Sequence, residues 1–309
     1  VSDVDYMKKE LIKDIVSNKY IYLLVLPAII FYLIFAYGPM YGIQIAFKNF
    51  SASKGIWGSA WVGLENFMVM WQEPQFWRAF TNTVVISLGR LVTGFPVPIL
   101  LAIMFNEMRD GKLKKGIQTI TTFPNFLSWI VISGMIFNLL SSQGAINSIA
   151  EFFGLPAQNI LSDKNMFQPL LYISAIWKSS GWGCIIYLAA ISGINTELYE
   201  AAYIDGASRL QRIRYITWPG MQPTVVLLLI LSLGGIMNAG FEQIFVMYNP
   251  TVYETADIID TFVYRLTFVG APDYGLGAAV GIFKSVINFL LLFVADRIAK
   301  LVDKDSGIF

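Results

Sequence analysis

Asn195-Thr196-Glu197-Leu198-Tyr199-Glu200-Ala201-Ala202-Tyr203-Ile204-Asp205-Gly206-Ala207 forms a polar island between two apolar runs, residues 170–191 and 224–247. Asn195 or Thr196 can accept a bond from an exposed backbone N–H and so start a helix, and Glu197 suits its positive first turn. Residues 198–210 are tolerated in a helix, with Gly206 as the interruption. Nine residues after Gly206 comes Ile216-Thr217-Trp218-Pro219. Pro219 and Pro223 end the polar segment and restart a helix, with Pro223 suited to the first turn of the next run. The spacing predicts a short capped helix lying across one membrane face within a loop at 193–222. On spacing alone, that helix is as readily a membrane-parallel connector as a docking element. Small Ala201, Ala202, Gly206 and Ala207 let another backbone come close, while Glu200 and Asp205 offer charges to a partner.

Outward from the island, the chain is dominated by apolar blocks. Apolar residues make up 56% of the 309 and charged residues 14%, far from the balance of a soluble domain. The blocks fall at about 20–41, 79–105, 117–140, 170–191, 224–247 and 274–298. Each is about 20 residues or more, the length needed to cross a hydrocarbon core. The expectation is an all-α integral membrane protein with six spans in one domain, 1–309, and no tandem repeat. The first block is too long for a signal-peptide core and lacks a small-residue cleavage site, so it is read as a span.

Charge sets the orientation. Lys8, Lys9, Lys13 and Lys19 in a tail at 1–19 fall on one side with Arg109, Lys112, Lys114, Lys115, Arg209, Arg212, Arg214, Arg297, Lys300 and Lys304. The opposite loops, though longer, hold only Lys48, Lys54, Arg78, Lys164 and Arg265. The positive-inside rule then places both termini and the polar island in the cytoplasm. On the outer side, residues 56–80 carry Trp57, Trp61, Trp71 and Trp77, the composition of an interfacial helix, and 145–153 reads as a short surface helix.

Several functions are excluded by what the chain lacks. A net charge of +1 without a basic patch argues against nucleic acid. There is no histidine, and the one cysteine, Cys184, lies inside an apolar block, so neither a metal cluster nor a nucleophile–base pair can be assembled readily. No glycine-rich phosphate loop is present, so any ATP hydrolysis belongs to another subunit.

The cassette Glu200-Ala201-Ala202, Asp205-Gly206, then Ile216 and Pro219 resembles the EAA loop of permease subunits in binding-protein-dependent ABC importers, with Trp218 where that family usually has leucine. Trp61-Val62-Gly63-Leu64-Glu65-Asn66-Phe67, Trp177-Lys178-x-x-Gly181 and Tyr187-Leu188-Ala189-Ala190-Ile191 are similar to segments of its carbohydrate-importing members. Phe245-Val246-Met247-Tyr248-Asn249-Pro250 resembles a subgroup associated with complex oligosaccharides. The resemblance implies a type I ABC importer permease fold in a bacterial cytoplasmic membrane. It implies that Glu200, Ala201, Ala202, Asp205, Gly206, Ala207, Ile216 and Pro219 form a coupling helix and its flank. The implied partners are a second homologous permease, two copies of an ATPase and an extracellular solute-binding protein. This chain would bind no cofactor, ATP and magnesium residing on the ATPases.

Polar groups inside spans are costly and mark candidate solute contacts. Sugars want aromatic faces plus amide and charged groups. Trp177, Lys178 and Trp182 fit that inventory, as do Asn238, Glu242 and Gln243, with Asn125 and Asn138 in the third span behind them. Each taken alone is equally a helix-packing amide or an interfacial aromatic. Lys178 is read as facing a hydrated cavity and would suit a uronate-containing sugar. Arg90 and Lys284 are read as paired with a carboxylate or carbonyl in a partner subunit, or as snorkelling. Pro96 and Pro98 are expected to kink the second span. The competing reading is an ion-coupled secondary transporter, which would show repeated halves and a membrane carboxylate.

Overall fold

A computed structural model describes residues 13–14, 16–156 and 158–302. Most of the tail at 1–19, with Lys8 and Lys9, and Lys304 at the other end lie outside the described residues.

The first long helix, α1 (Lys19–Tyr32), runs through a π-helical turn at Leu33–Tyr37 and a 3-10 stretch at Tyr41–Phe47 into a two-stranded hairpin. In that hairpin β1 (Lys48–Asn49) pairs antiparallel with β2 (Ala60–Trp61). No residue of α1 is buried, so its apolar side chains face outward all round. That surface suits lipid or a second membrane subunit, not water.

The Trp-rich outer segment is divided, where a single interfacial helix was expected. Trp61 sits in β2 and stacks on Phe47 with centroids 5.7 Å apart. Gly63 turns the chain at φ +64, a conformation glycine adopts without strain. In α2 (Glu65–Gln72), the Asn66 amide donates to the carbonyls of Ala46 at 2.9 Å and Lys48 at 3.1 Å. The Trp-x-Gly-x-x-Asn pattern therefore clamps the end of the first span that runs into the hairpin.

Next come α3 (Pro74–Gly94) and α4 (Pro96–Glu107), interrupted at Phe95 where Pro96 and Pro98 supply no N–H to the helical ladder. The expected continuous span at 117–140 is two helices, α5 (Lys112–Thr122) and α6 (Trp129–Leu140). Between them Phe123–Phe126 forms a 3-10 turn around Pro124, and the Ser128 hydroxyl accepts from Val131 N at 3.3 Å to restart the helix. The short helix α7 (Ala145–Phe152) follows.

The longest helices of the bundle are α8 (Lys164–Ser192) and α13 (Tyr274–Val302), each of 29 residues. The polar island forms α9 (Thr196–Ile204), and Arg209–Thr217 leads into α10 (Trp218–Gly234). Pro219, not Pro223, occupies the first turn of α10, and Pro223 lies inside it. The expected span at 224–247 is also broken. Ala239 and Gly240 are both left-handed, at φ +45 and +79, before α11 (Phe241–Met247). The loop that follows holds α12 (Ile259–Phe268).

Among the described residues, five stretches are long and apolar enough to cross a membrane: Lys19–Phe47, Pro74–Glu107, Trp129–Phe152, Arg209–Gly234 and Tyr274–Arg297. The remaining expected span, 170–191, lies within α8, whose centre carries Lys178, Ser179 and Ser180.

Packing divides into three main clusters. One joins α3, α8 and α11 through Ile86, Leu171, Ile244 and Met247. A second joins α2, α3, α12 and α13 through Met70, Phe76, Phe262 and Val280. The third joins α4, α8 and α10 through Ile99, Cys184, Tyr187 and Met221. Small residues set the helix crossings, as expected where lipid is as apolar as the core. At Gly181 an added Cβ would lie 2.0 Å from the Thr121 carbonyl oxygen, and at Gly234 one would lie 2.9 Å from Leu292.

Candidate functional site

The loop at 193–222 is built by its own capping groups. Asn195 Oδ1 accepts from Glu197 N at 3.0 Å and opens α9. At the other end Gly206 stands at φ +74. Gly206 N donates to Tyr203 O at 3.1 Å and Ala207 N to Ala202 O at 2.9 Å, the paired bonds of a Schellman cap. A Cβ at Gly206 would meet nothing within 4 Å, so the glycine is there for its backbone angle and not for space. Ser208 then restarts the chain with a capping box: Ser208 N donates to Gln211 Oε1 at 2.7 Å, and Gln211 N to Ser208 Oγ at 3.4 Å.

What this short helix presents is unusual for a polar surface. Glu200 and Asp205 are exposed, Ala202 and Ala207 are half-buried, and Leu198, Tyr203, Ile204 and Leu210 are exposed. Ile204 is 84% accessible. Tyr199 turns inward instead, its hydroxyl 2.9 Å from that of Thr217, which is fully buried two residues before Pro219. Ile216 is half-buried in the same π-helical turn. At the base of α10, Gly220 lets Ile194 come close, since a Cβ there would lie 2.5 Å from Ile194 Cδ1. The loop is thus fastened to the bundle through Tyr199 and Ile194 while its apolar and acidic side remains open.

The candidate solute contacts separate into two groups. Lys178 donates to the carbonyls of Asn125 at 2.9 Å and Leu127 at 2.5 Å, with Trp129 beneath its ammonium at 5.6 Å. One turn on, Trp182 meets Phe126 edge-on at 5.7 Å, and Thr122 Oγ1 donates to Gly181 O at 3.3 Å. Lys178 and Gly181 therefore seat α8 on the break between α5 and α6, with Asn125 contributing its carbonyl. Trp129, which supplies the ring face, carried no signal in the sequence reading.

The second group lies between α3, α8, α10 and α11. A cavity of about 510 Å³ is lined by Arg90, Phe95, Tyr172, Ser179, Tyr187 and Ser232, among others. A smaller one of about 260 Å³ shares Arg90, Phe95 and Ser232 with it and adds Ser87, Asn238 and Gly240. Gln243 is fully buried, and its Nε2 donates to Leu171 O at 3.0 Å and Ser174 Oγ at 2.8 Å. Those bonds turn its Oε1 toward Arg90, which donates to it. Trp177, Asn138 and Glu242 are exposed and line neither cavity.

Ion pairs hold three further cations. Lys284 reaches Asp260 at 2.6 Å within this chain. Arg265 makes two bonds to Asp257, each 2.6 Å, and its hydrogen bonding to that buried carboxylate holds its pKa above the usual range. Lys164 pairs with Glu254 at the surface and holds that carboxyl below the usual range. Among the described residues there is no group of metal-ligating side chains.

A bundle of broken apolar helices around a small cavity, with a fastened polar helix at one face, defines a polytopic membrane transport subunit. Residues 94–304 match the model of the binding-protein-dependent transport system inner membrane component, and the chain belongs to that family. It is 41% identical to the polygalacturonan/rhamnogalacturonan transport system permease protein YteP of Bacillus subtilis, covering 95% of this chain and 91% of that one. It is 39% identical to Protein LplB of the same organism, covering 94% and 92%. The fold superimposes with a TM-score of 0.88 and 41% identity on a chain of a bacterial ABC transporter involved in the import of the acidic polysaccharide alginate, covering 95% and 99%. The fold is therefore that of a type I ABC importer permease, and the chain is a multi-pass inner-membrane protein.

Proposed function

We propose that this chain forms, with a second permease, the membrane pathway through which an acidic oligosaccharide enters the cell, driven by ATP hydrolysis on two separate ATPase subunits. The observation that carries the reading is the fastened, capped helix α9, which exposes Leu198, Tyr203 and Ile204 beside Glu200 and Asp205. Such a surface suits a protein groove better than water. Tyr199 and Thr217 give it a direct mechanical link to α10. Both termini and this loop face the cytoplasm, and an extracellular binding protein delivers the sugar to the opposite face. The sixth span runs through α8.

The acidic character of the cargo is inferred from likeness to the pectin-type permease and to the alginate transporter. ATP and magnesium sit on the ATPases, and this chain contributes no catalytic group. The test is hydrolysis by the reconstituted complex of this chain, second permease, ATPases and loaded binding protein. In Glu200→Ala and Gly206→Asp, stimulation by the binding protein collapses while the complex stays assembled. Stimulation at the unsubstituted level in both variants would refute the coupling role. A chain that binds no ATPase and moves solute down an ion gradient would instead establish a secondary transporter.

A further inference from the structure

We infer that Arg90, at the junction of the two cavities, is the group that receives a carboxylate of the sugar during passage. This rests on the acidic-cargo reading above and names the residue that recognises the charge.

Charge pairing singles it out. Lys164, Arg265 and Lys284 each have a carboxylate partner, Glu254, Asp257 and Asp260 respectively. Lys178 is held by two carbonyls. Arg90 has a neutral amide, Gln243, and no carboxylate pairs with it among the described residues. A guanidinium inside a span without a counter-ion is costly and marks a functional position.

Hydrogen bonding leads to the same place. Arg90 Nε and Ser87 Oγ, one turn apart on α3, are buried without a partner. Buried polar groups are nearly always satisfied, so two orphans beside one cavity mark where a group is missing. Gln243 is locked from behind by Leu171 and Ser174, so it holds the guanidinium in one orientation.

The backbone is shaped to the same end. A Cβ at Gly240 would lie 2.3 Å from Arg90 Nη1, so only glycine lets the broken α10–α11 segment wrap the guanidinium. Ala239 beside it is held left-handed, a strained choice for a residue with a Cβ.

The larger cavity complements the charge. Tyr172, Tyr187 and Phe95 are among its lining residues, and aromatic rings suit the C–H face of a pyranose. The hydroxyls of Ser179 and Ser232 donate to the carbonyls one turn back and keep lone pairs for sugar hydroxyls. A planar guanidinium at the edge of such a platform matches a uronate carboxylate in a way lysine does not.

The experiment is uptake of trigalacturonate into proteoliposomes holding the full complex, with Arg90→Gln and Arg90→Lys beside the unsubstituted chain. In Arg90→Gln, uptake per assembled complex falls roughly 10- to 100-fold, the range of a charge-assisted hydrogen bond. Arg90→Lys recovers part of it. Equal uptake by Arg90→Gln and the unsubstituted complex overturns the assignment of Arg90 and leaves the acidic cargo intact. An unsubstituted complex that moves neutral oligosaccharide but no trigalacturonate overturns both. Should Arg90→Gln fail to assemble, cryo-electron microscopy of the unsubstituted complex with trigalacturonate decides. A cargo carboxylate on Arg90 supports the inference, and a carboxylate of the second permease seated there refutes it.

Discussion

Tyr199 Oη and Thr217 Oγ1 lie 2.9 Å apart and join the middle of α9 to the turn that starts α10. Thr217 is fully buried, so the bond is shielded from competing water. A displacement of α9 would bear directly on α10, whose far end breaks beside Arg90. Tyr199→Phe is expected to leave the complex assembled but to loosen this link, reducing transport per ATP hydrolysed. Thr217→Val should do the same, and the double variant should be no worse than either alone. Uptake and hydrolysis measured side by side check this, and additive effects would exclude a shared bond.

Gly206 should tolerate no side chain, although space is open around it. Gly206→Ala forces a left-handed angle on a residue with a Cβ and costs about 1 kcal/mol at the Schellman cap. The expected result is faster amide exchange at Tyr203–Ala207, with the rest of the bundle unchanged. Exchange identical to that of the unsubstituted chain would show that the cap does not hold α9.

Lys178→Met should act on stability more than on solute preference. It leaves the Asn125 and Leu127 carbonyls without their donor, a loss of about 1–3 kcal/mol for a buried group. Thermal unfolding in detergent should drop by several degrees, while the ratio of acidic to neutral sugar uptake stays the same. A changed ratio at unchanged stability would place Lys178 in the solute path.

Asp257→Asn is expected to be the most damaging of these changes. Asp257 is fully buried, its carboxylate accepts two bonds from Arg265 and one from Thr261 at 2.7 Å, and its backbone carbonyl accepts from the Asn82 amide at 3.0 Å. Removing its charge strands a partly buried guanidinium and costs about 3–5 kcal/mol. Poor yield or a sharply lowered melting temperature checks it, and normal stability would contradict it.

Acid should open the outer clasp between Lys164 and Glu254. The lysine lowers the Glu254 pKa in the folded chain, so the stabilising charge is fully present above the ordinary glutamate pKa. It is lost as pH falls through the depressed folded value. Both side chains are more than half exposed, so the effect is small and salt-sensitive. Amide exchange around residues 250–256 should rise below about pH 4 at low salt, and Lys164→Met should remove that pH dependence.

The apolar blocks and the cassette at 195–219 were readable from sequence because both rest on local rules. Crossing a membrane demands about 20 apolar residues in a row, and caps demand particular side chains within four residues. The cap at Asn195 or Thr196 and the stop at Gly206 were therefore legible locally, whereas which of Pro219 and Pro223 opens α10 was not. The breaks inside the third and fifth expected spans were not, because hydropathy sums over a window and a 3-10 turn or a left-handed pair is itself apolar. Pro124 hinted at the first break, and Gly234-Gly235 and Gly240 at the second. Pairings of distant residues were beyond reach for a different reason. Lys178 with Leu127, Lys284 with Asp260 and Arg90 with Gln243 each depend on which helix faces meet, a choice settled only by packing. Sequence alone determined that this chain is a membrane bundle with a capped polar loop; tertiary structure decided which buried charge is left facing a cavity.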